Sequence, residues 1–468
     1  VATLANALDR LEGEMSRAMA DLGTLVRIPS VSAKGFDPDE VARCARAVEE
    51  LLREAGLHEV ELLELPGAHP CVVGEWVGAG ATAPTVLIYA HYDVQPPGRP
   101  SAWRSPAFEP TAGDDGRLYG RGVADDKGGL LVHVAAVRAW LESCGRLPVN
   151  VRFLVEGEEE IGSPHLTDFL RTHRSRFDAD AIVLSDTSNL DTGLPSITTS
   201  LRGLVVVDVA VRALDHPLHS GIWGGPVMDA ATALVRLLAR LVDDRGVIQV
   251  QGILDDVPEL DGGFVARLRA LPLDEEGLRA QAGIDASIGW AGKVEMPIAQ
   301  RLWWHPSLSI TALEGTSFAN AANQLADVAR ARIGLRLAPG QDAQRAARRL
   351  VDFLRCDPPC GVAVETSIHT ASPGWSIVAE GPAFEAARRA LAAGYGCEPV
   401  EIGCGGSIPF VGPFAQVLGG VPALLLGVED PYCNAHGENE SLSVDDFRKA
   451  ARAATILLEE LRAVREEC

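Results

Sequence analysis

The residues best equipped for chemistry stand in short runs: His91-Tyr92-Asp93, Asp125-Asp126, Glu158-Glu159-Glu160 and Ser185-Asp186, with His436 far downstream. Imidazole and carboxylate are the side chains that hold divalent cations and move protons. A single carboxylate pair reads as a solvated loop, and a lone His-x-Asp as a surface histidine. Here the runs follow one another between His91 and Asp186, after apolar strand-like stretches or a glycine-rich turn. Together they are what a metal-dependent hydrolase needs. Gly120-Arg121-Gly122 lets the backbone bend sharply and approach a ligand closely before Asp125. Asp125 and Asp126 also stand where Asp caps a helix, which accounts for only one of them. Asp93, on the same side of an extended segment as His91, is placed to hold or polarise that ring. Neighbours in a regular strand face opposite sides, so a turn must begin at Glu159-Glu160.

The elements that position these residues are legible from periodicity. Residues 85–90 and 149–155 read as buried strands, and 181–184 as a strand ending in Ser185-Asp186. Helical spacing covers 8–24, 38–55, 127–142 and 164–174. Strands alternating with helices predict an α/β fold with a mostly parallel sheet flanked by helices. Ligands of such sheets gather at the carboxyl ends of the strands, where these candidates fall. The pattern changes near Arg202. An alternating strand at 204–211, a helix at 228–243, a polar acidic insertion to about 300, a strand at 329–337 and a helix at 342–355 suggest an inserted, smaller α+β domain. The first pattern resumes after Pro373-Gly374 with a helix at 382–394, a strand at 423–426 and a helix at 444–465. The expected division is therefore 1–201, 202–373 and 374–468.

A chain of 468 residues with net charge −22 has room for two substantial cores and repels nucleic acid and anionic membranes. No apolar run approaches the roughly 20 residues that span a bilayer, and the first residues carry no signal-peptide pattern. Nine cysteines, odd in number and scattered, suit reduced thiols in a cytoplasm. The close pair Cys356 and Cys360 has no second Cys/His pair at zinc-finger spacing.

The set His91-x-Asp93, Gly120-Arg121-Gly122-x-x-Asp125-Asp126-Lys127-Gly128, Glu159-Glu160-x-Gly162-Ser163, Ser185-Asp186 and Ala435-His436-x-x-Asn439-Glu440 resembles the dinuclear-zinc peptidases of clan MH. That family includes aminoacylase, acetylornithine deacetylase, succinyl-diaminopimelate desuccinylase, and the carnosine and cytosolic non-specific dipeptidases. His305-Pro306-Ser307-Leu308-Ser309, Gly405-Gly406-Ser407-Ile408-Pro409 and the insertion at 245–305 are more similar to the dipeptidase branch.

The resemblance implies a zinc-exopeptidase catalytic domain with an inserted lid and dimerisation domain, acting as a homodimer. It implies two divalent metal ions, Zn²⁺ or alternatively Mn²⁺ or Co²⁺. Asp125 would bridge them, His91 and Asp186 completing one site, Glu160 and His436 the other. Glu159 would be the general base for a hydroxide bridging the metals, with Asp93 supporting His91 and Glu158 merely flanking. His219, in Pro217-Leu218-His219-Ser220-Gly221, would reach across the dimer to stabilise the oxyanion. Arg336 would clamp the substrate carboxylate, and Asn323 and Ser407 would touch the substrate. The implied reaction is hydrolysis of a dipeptide. The alternatives are N-acyl-amino-acid deacylation on the same fold, or an inactive metal-binding protein. Pro217, where the branch carries an acid, and Gly437, where Ser is common, are departures that bear on substrate rather than on metal.

Overall fold

The computed structural model describes residues 3–406, 408 and 411–465. The chain divides into two compact units: 1–199 with 378–402 and 408–468, and 200–377 with 403–407.

The first unit is built on a mixed sheet. Its centre is four parallel strands in the order Asn150–Glu156, Thr85–His91, Ala181–Ser188 and Ala423–Glu429. Antiparallel strands flank them: Cys71–Trp76 and then His58–Leu63 on one side, Ser196–Leu201 on the other. The parallel strands are nearly wholly buried, the condition of a sheet covered on both faces. The helix Lys127–Cys144 packs against Thr85–His91 and Ala181–Ser188, and is itself packed by Leu4–Val26 and Val444–Glu460. It is buried from Lys127 through Trp140, because a helix between sheet and helices has no polar face to offer water. The buried ammonium of Lys127 is satisfied by donating to the carbonyls of Leu25 at 2.9 Å and Ile28 at 3.0 Å.

The second unit is a four-stranded antiparallel sheet in the order Ser307–Glu314, Val328–Leu337, Gly203–Arg212 and Ala363–Ser372. The two central strands alternate strictly. Val205, Val207, Val209 and Val211 face Ala329, Ala331, Ile333 and Leu335 in one apolar layer. The helices Ala230–Ala239 and Ala343–Arg355 cover that layer. Each of these helices is capped by an Asp side chain, Asp229 and Asp342.

Three details differ from the sequence reading. The insertion expected to be merely polar and acidic holds the helices Gly262–Ala270, Glu275–Ala282 and Ile298–Trp303. Two of them are capped by Asp261 and Asp274 but bury almost nothing, so no apolar stripe marks them. Asp186 lies inside its strand rather than after it, because pairing with Ala423–Glu429 continues as far as Ser188. Asp126 occupies the capping position of its helix, yet its side chain makes no capping bond.

Candidate metal centre

His91 is the last residue of its strand and lies opposite Glu156 in the parallel ladder. Its ring is wholly buried. Nδ1 stands 3.1 Å from the Asp93 carbonyl oxygen and 3.4 Å from Asp93 Oδ1, which turns Nε2 the other way. There Nε2 meets Asp125 Oδ1 at 3.0 Å and Asp186 Oδ1 at 3.7 Å without making a hydrogen bond to either.

Asp93 also holds the glutamates. Its two carboxylate oxygens accept the backbone N–H of Glu159 at 3.2 Å and of Glu160 at 3.1 Å, and Oδ2 accepts from Ser32 Oγ at 2.6 Å. The strand Asn150–Glu156 ends just before, and Glu159–Ile161 forms a single 3₁₀ turn. That turn is how adjacent glutamates come to face one site. Glu160 is fixed further by Gln95, whose backbone N–H donates to Oε1 at 3.1 Å and whose Nε2 donates to Oε2 at 2.7 Å. Glu158 is not the bystander expected of a flanking residue. It is buried, accepts the His69 N–H at 2.9 Å and lies 2.8 Å from His165 Nδ1, so it anchors the start of the turn.

Asp125 arrives from the glycine turn. Gly122 has φ +79°, and a Cβ there would lie 2.5 Å from Val94 Cγ1, so only glycine suits the position. The peptide between Asp125 and Asp126 is cis. Asp126 directs Oδ2 to the His91 N–H at 3.2 Å. Across from the turn, His436 Nε2 lies 2.9 Å from Asp125 Oδ2 and 3.3 Å from Glu160 Oε2.

Two groups thus form, His91–Asp125–Asp186 and Asp125–Glu160–His436, with donor atoms within 4.8 Å of one another in each. They share Asp125. The electrostatics fit cations. Burial raises Glu159 well above the usual carboxylate range and pushes Asp186 up to about 6, with neighbouring carboxylates adding to both. His436 is pushed up to about 11 by its bonds to Asp125 and Glu160. His91 is raised well above 6.5 by Asp186 and Asp125, although its burial opposes the charge. Carboxylates that resist ionising beside imidazoles that resist neutrality describe a site short of positive charge. A buried imidazole nitrogen that faces two carboxylate oxygens without bonding them forms with them a donor set able to accept a cation.

The remaining candidates lie in the second unit. His219 is exposed, and its Nδ1 accepts the Gly221 N–H at 3.0 Å, so the neutral ring carries its proton on Nε2. Asn323 is also exposed and is brought beside it, since its carbonyl accepts the Ser220 N–H at 2.9 Å. Arg336 is half-buried on Val328–Leu337, opposite Ser307 in the ladder. Ser407 lies outside the described residues.

Sequence reasoning assigned no role to Arg202, Gln95, Arg121 or Glu440. Arg202 donates to the Gly405 carbonyl at 3.1 Å and to Ser307 Oγ at 3.0 Å, joining the two segments that set the dipeptidase branch apart. Burial and the charge of Arg336 push its guanidinium down to about 10. Arg121 and Glu440 stood within the quoted motifs, which was the available signal. Gln95 had none.

The model of peptidase family M20/M25/M40 matches residues 87–460. A cysteinylglycine-S-conjugate dipeptidase of Corynebacterium striatum is 31% identical over 440 residues, 93% of this chain and 94% of the relative. The human β-Ala-His dipeptidase is 32% identical over 386 residues, 80% of this chain and 74% of the relative. The solved structure of the dipeptidase Dug1p from Saccharomyces cerevisiae superposes with a TM-score of 0.84 at 26% identity, covering 98% of this chain and 99% of that one. With a family model spanning every residue of both groups, and a shared fold over nearly its full length, the chain belongs to peptidase family M20/M25/M40.

Proposed function

We propose that this chain is a dinuclear metal-dependent dipeptidase. The observation that carries the reading is the pair of ligand groups sharing Asp125, with Glu159 on the adjoining turn. The dipeptidase activities for which the relatives are named agree with it. His91 and Asp186 would hold one cation, Glu160 and His436 the other, with Asp125 serving both. Oxygen and imidazole donors without thiolate suit Zn²⁺, and accept Mn²⁺ or Co²⁺. When bound, two such cations acidify water and polarise an amide carbonyl. Glu159 takes the proton of the attacking water and delivers it to the departing amine. Asp93 keeps Glu159 and Glu160 in register by holding both backbone N–H groups.

In the second unit, His219 offers an Nε2–H to a developing oxyanion, Arg336 a guanidinium to the substrate carboxylate, and Asn323 and Ser407 further polar contacts. The segments of His219 and Asn323 also carry exposed apolar groups, Ile222 at 71% and Trp223 at 48% beside the first and Phe318 at 103% ahead of the second. A patch of that kind favours burial against a second copy, and we assign the homodimer contact to it. The eight described cysteines are free thiols, the state a reducing cytoplasm maintains.

The test is a panel of dipeptides and N-acyl amino acids, assayed after chelation and again with Zn²⁺, Mn²⁺ or Co²⁺ restored. Metal-dependent cleavage of dipeptides is expected. Cleavage of acyl amino acids alone would replace the dipeptidase reading with the deacylase one, and metal binding without hydrolysis of either would leave a binding protein.

A further inference from the structure

The two ligand groups are assembled differently. His91 and Asp186 stand on neighbouring parallel strands in the sheet. His436 stands on a loop where Asn434, His436 and Asn439 all take left-handed backbone angles, with φ of 53°, 64° and 63°. Asn adopts such angles readily, whereas three of them close together, one at His436, mark a tightly shaped loop that its surroundings must hold.

Arg121 and Glu440 supply that imposition. Both are buried, Arg121 at 1% exposure, and Arg121 Nη1 donates to Glu440 Oε2 at 2.7 Å. Arg121 Nη2 reaches three carbonyls: His436 at 3.1 Å, Gly437 at 3.0 Å and Pro96 at 3.2 Å. Pro96 follows Gln95, which holds the Glu160 carboxylate. On the other side, Glu440 accepts the N–H groups of Gly122 at 2.9 Å, Ala124 at 3.0 Å and Asp125 at 3.3 Å. One buried ion pair therefore ties together the segments bearing Asp125, His436 and Glu160. These are the three members of the loop-borne group.

We propose that Arg121 and Glu440 are positioning residues that preassemble the Asp125–Glu160–His436 group, so that its cation affinity depends on them far more than that of the His91–Asp125–Asp186 group. The proposal rests on the reading that each group holds a cation. Guanidinium geometry is essential to it, because a planar fork can serve a carboxylate and several carbonyls together where a lysine ammonium cannot.

The experiment titrates chelator-stripped wild-type, Arg121→Lys and Glu440→Gln chains with Zn²⁺ by calorimetry. Wild type is expected to take two equivalents. In the variants the first should be unchanged and the second weakened about 10- to 100-fold, the usual cost of losing a group that orients a ligand. Fewer than two equivalents in wild type overturns the dinuclear reading, and this proposal with it. Two unchanged equivalents in both variants, or equal weakening of both, overturns the positioning role alone. Hydrogen exchange on metal-free wild type gives a test that needs no variant to fold. The amides of Gly122 and Ala124 should stay protected by Glu440, and rapid exchange there would show that the latch is not preformed.

Discussion

The candidate ligands of the first unit crowd one another, whereas His219 and Asn323 of the second stand exposed. Asp93 is wholly buried and fixes His91, Glu159 and Glu160 at once. His219 is exposed and accepts a backbone N–H from two residues away, and Asn323 stands exposed beside it. The difference teaches where the missing partner comes from. A buried cluster of like charges is costly unless a counter-charge enters it, so the first unit is complete except for cations. Exposed donors incur no such cost, and under the proposed reading their partners are a substrate or a second copy. Metal content should therefore respond to changes in the first unit and be indifferent to changes in the second.

The harshest trial of that contrast is Asp125→Asn. Removing the shared charge should empty both groups and lower hydrolysis by several kcal/mol of lost stabilisation, upward of about 10⁴-fold. Metal analysis showing one group still filled would mean Asp125 is not shared. Glu159→Gln comes next, with kcat expected to fall about 10²- to 10⁴-fold while bound metal is unchanged. Full activity in that variant would remove the proposed base. His219→Ala should lower kcat about 10²- to 10³-fold, as the loss of one oxyanion donor does. If metal content fell with it, the two regions would not be separable in the way argued. Arg336→Lys is the mildest. Exchanging a bidentate fork for a point charge should raise KM for dipeptides about tenfold and leave kcat nearly intact, read by steady-state kinetics.

Much of the first unit was legible because its signals are strong. Apolar runs end in His91, in Glu156 just before the glutamates and in the segment of Asp186, and strand ends are where such sheets collect ligands. The strands that escaped notice lack hydrophobic contrast. Ala363–Ser372 is an edge strand with no fully buried residue, and Ser196–Leu201 buries a run of hydroxyls. The supporting residues around the site escaped for a different reason. Gln95 acts on the Glu160 carboxylate and Glu440 on the Ala124 N–H, partners far off in sequence, and nothing local records such a bond. The anchoring bonds of Glu158 leave no mark in the sequence, because three successive glutamates look alike until the turn gives each a different direction.

The ladder between Gly203–Arg212 and Val328–Leu337 runs through ten successive residue pairs without a bulge, while each of its outer neighbours carries one irregularity. Because facing alternates with every residue, deleting or inserting one position in Val328–Leu337 would turn Arg330, Arg332 and Arg336 inward and Ile333 and Leu335 out to solvent. Length changes in this strand must therefore come in twos. The outer strands, which already absorb an odd residue at Ile310/Ala312 and Ile368/Thr370, are where related chains are free to vary in length without losing the arginine row.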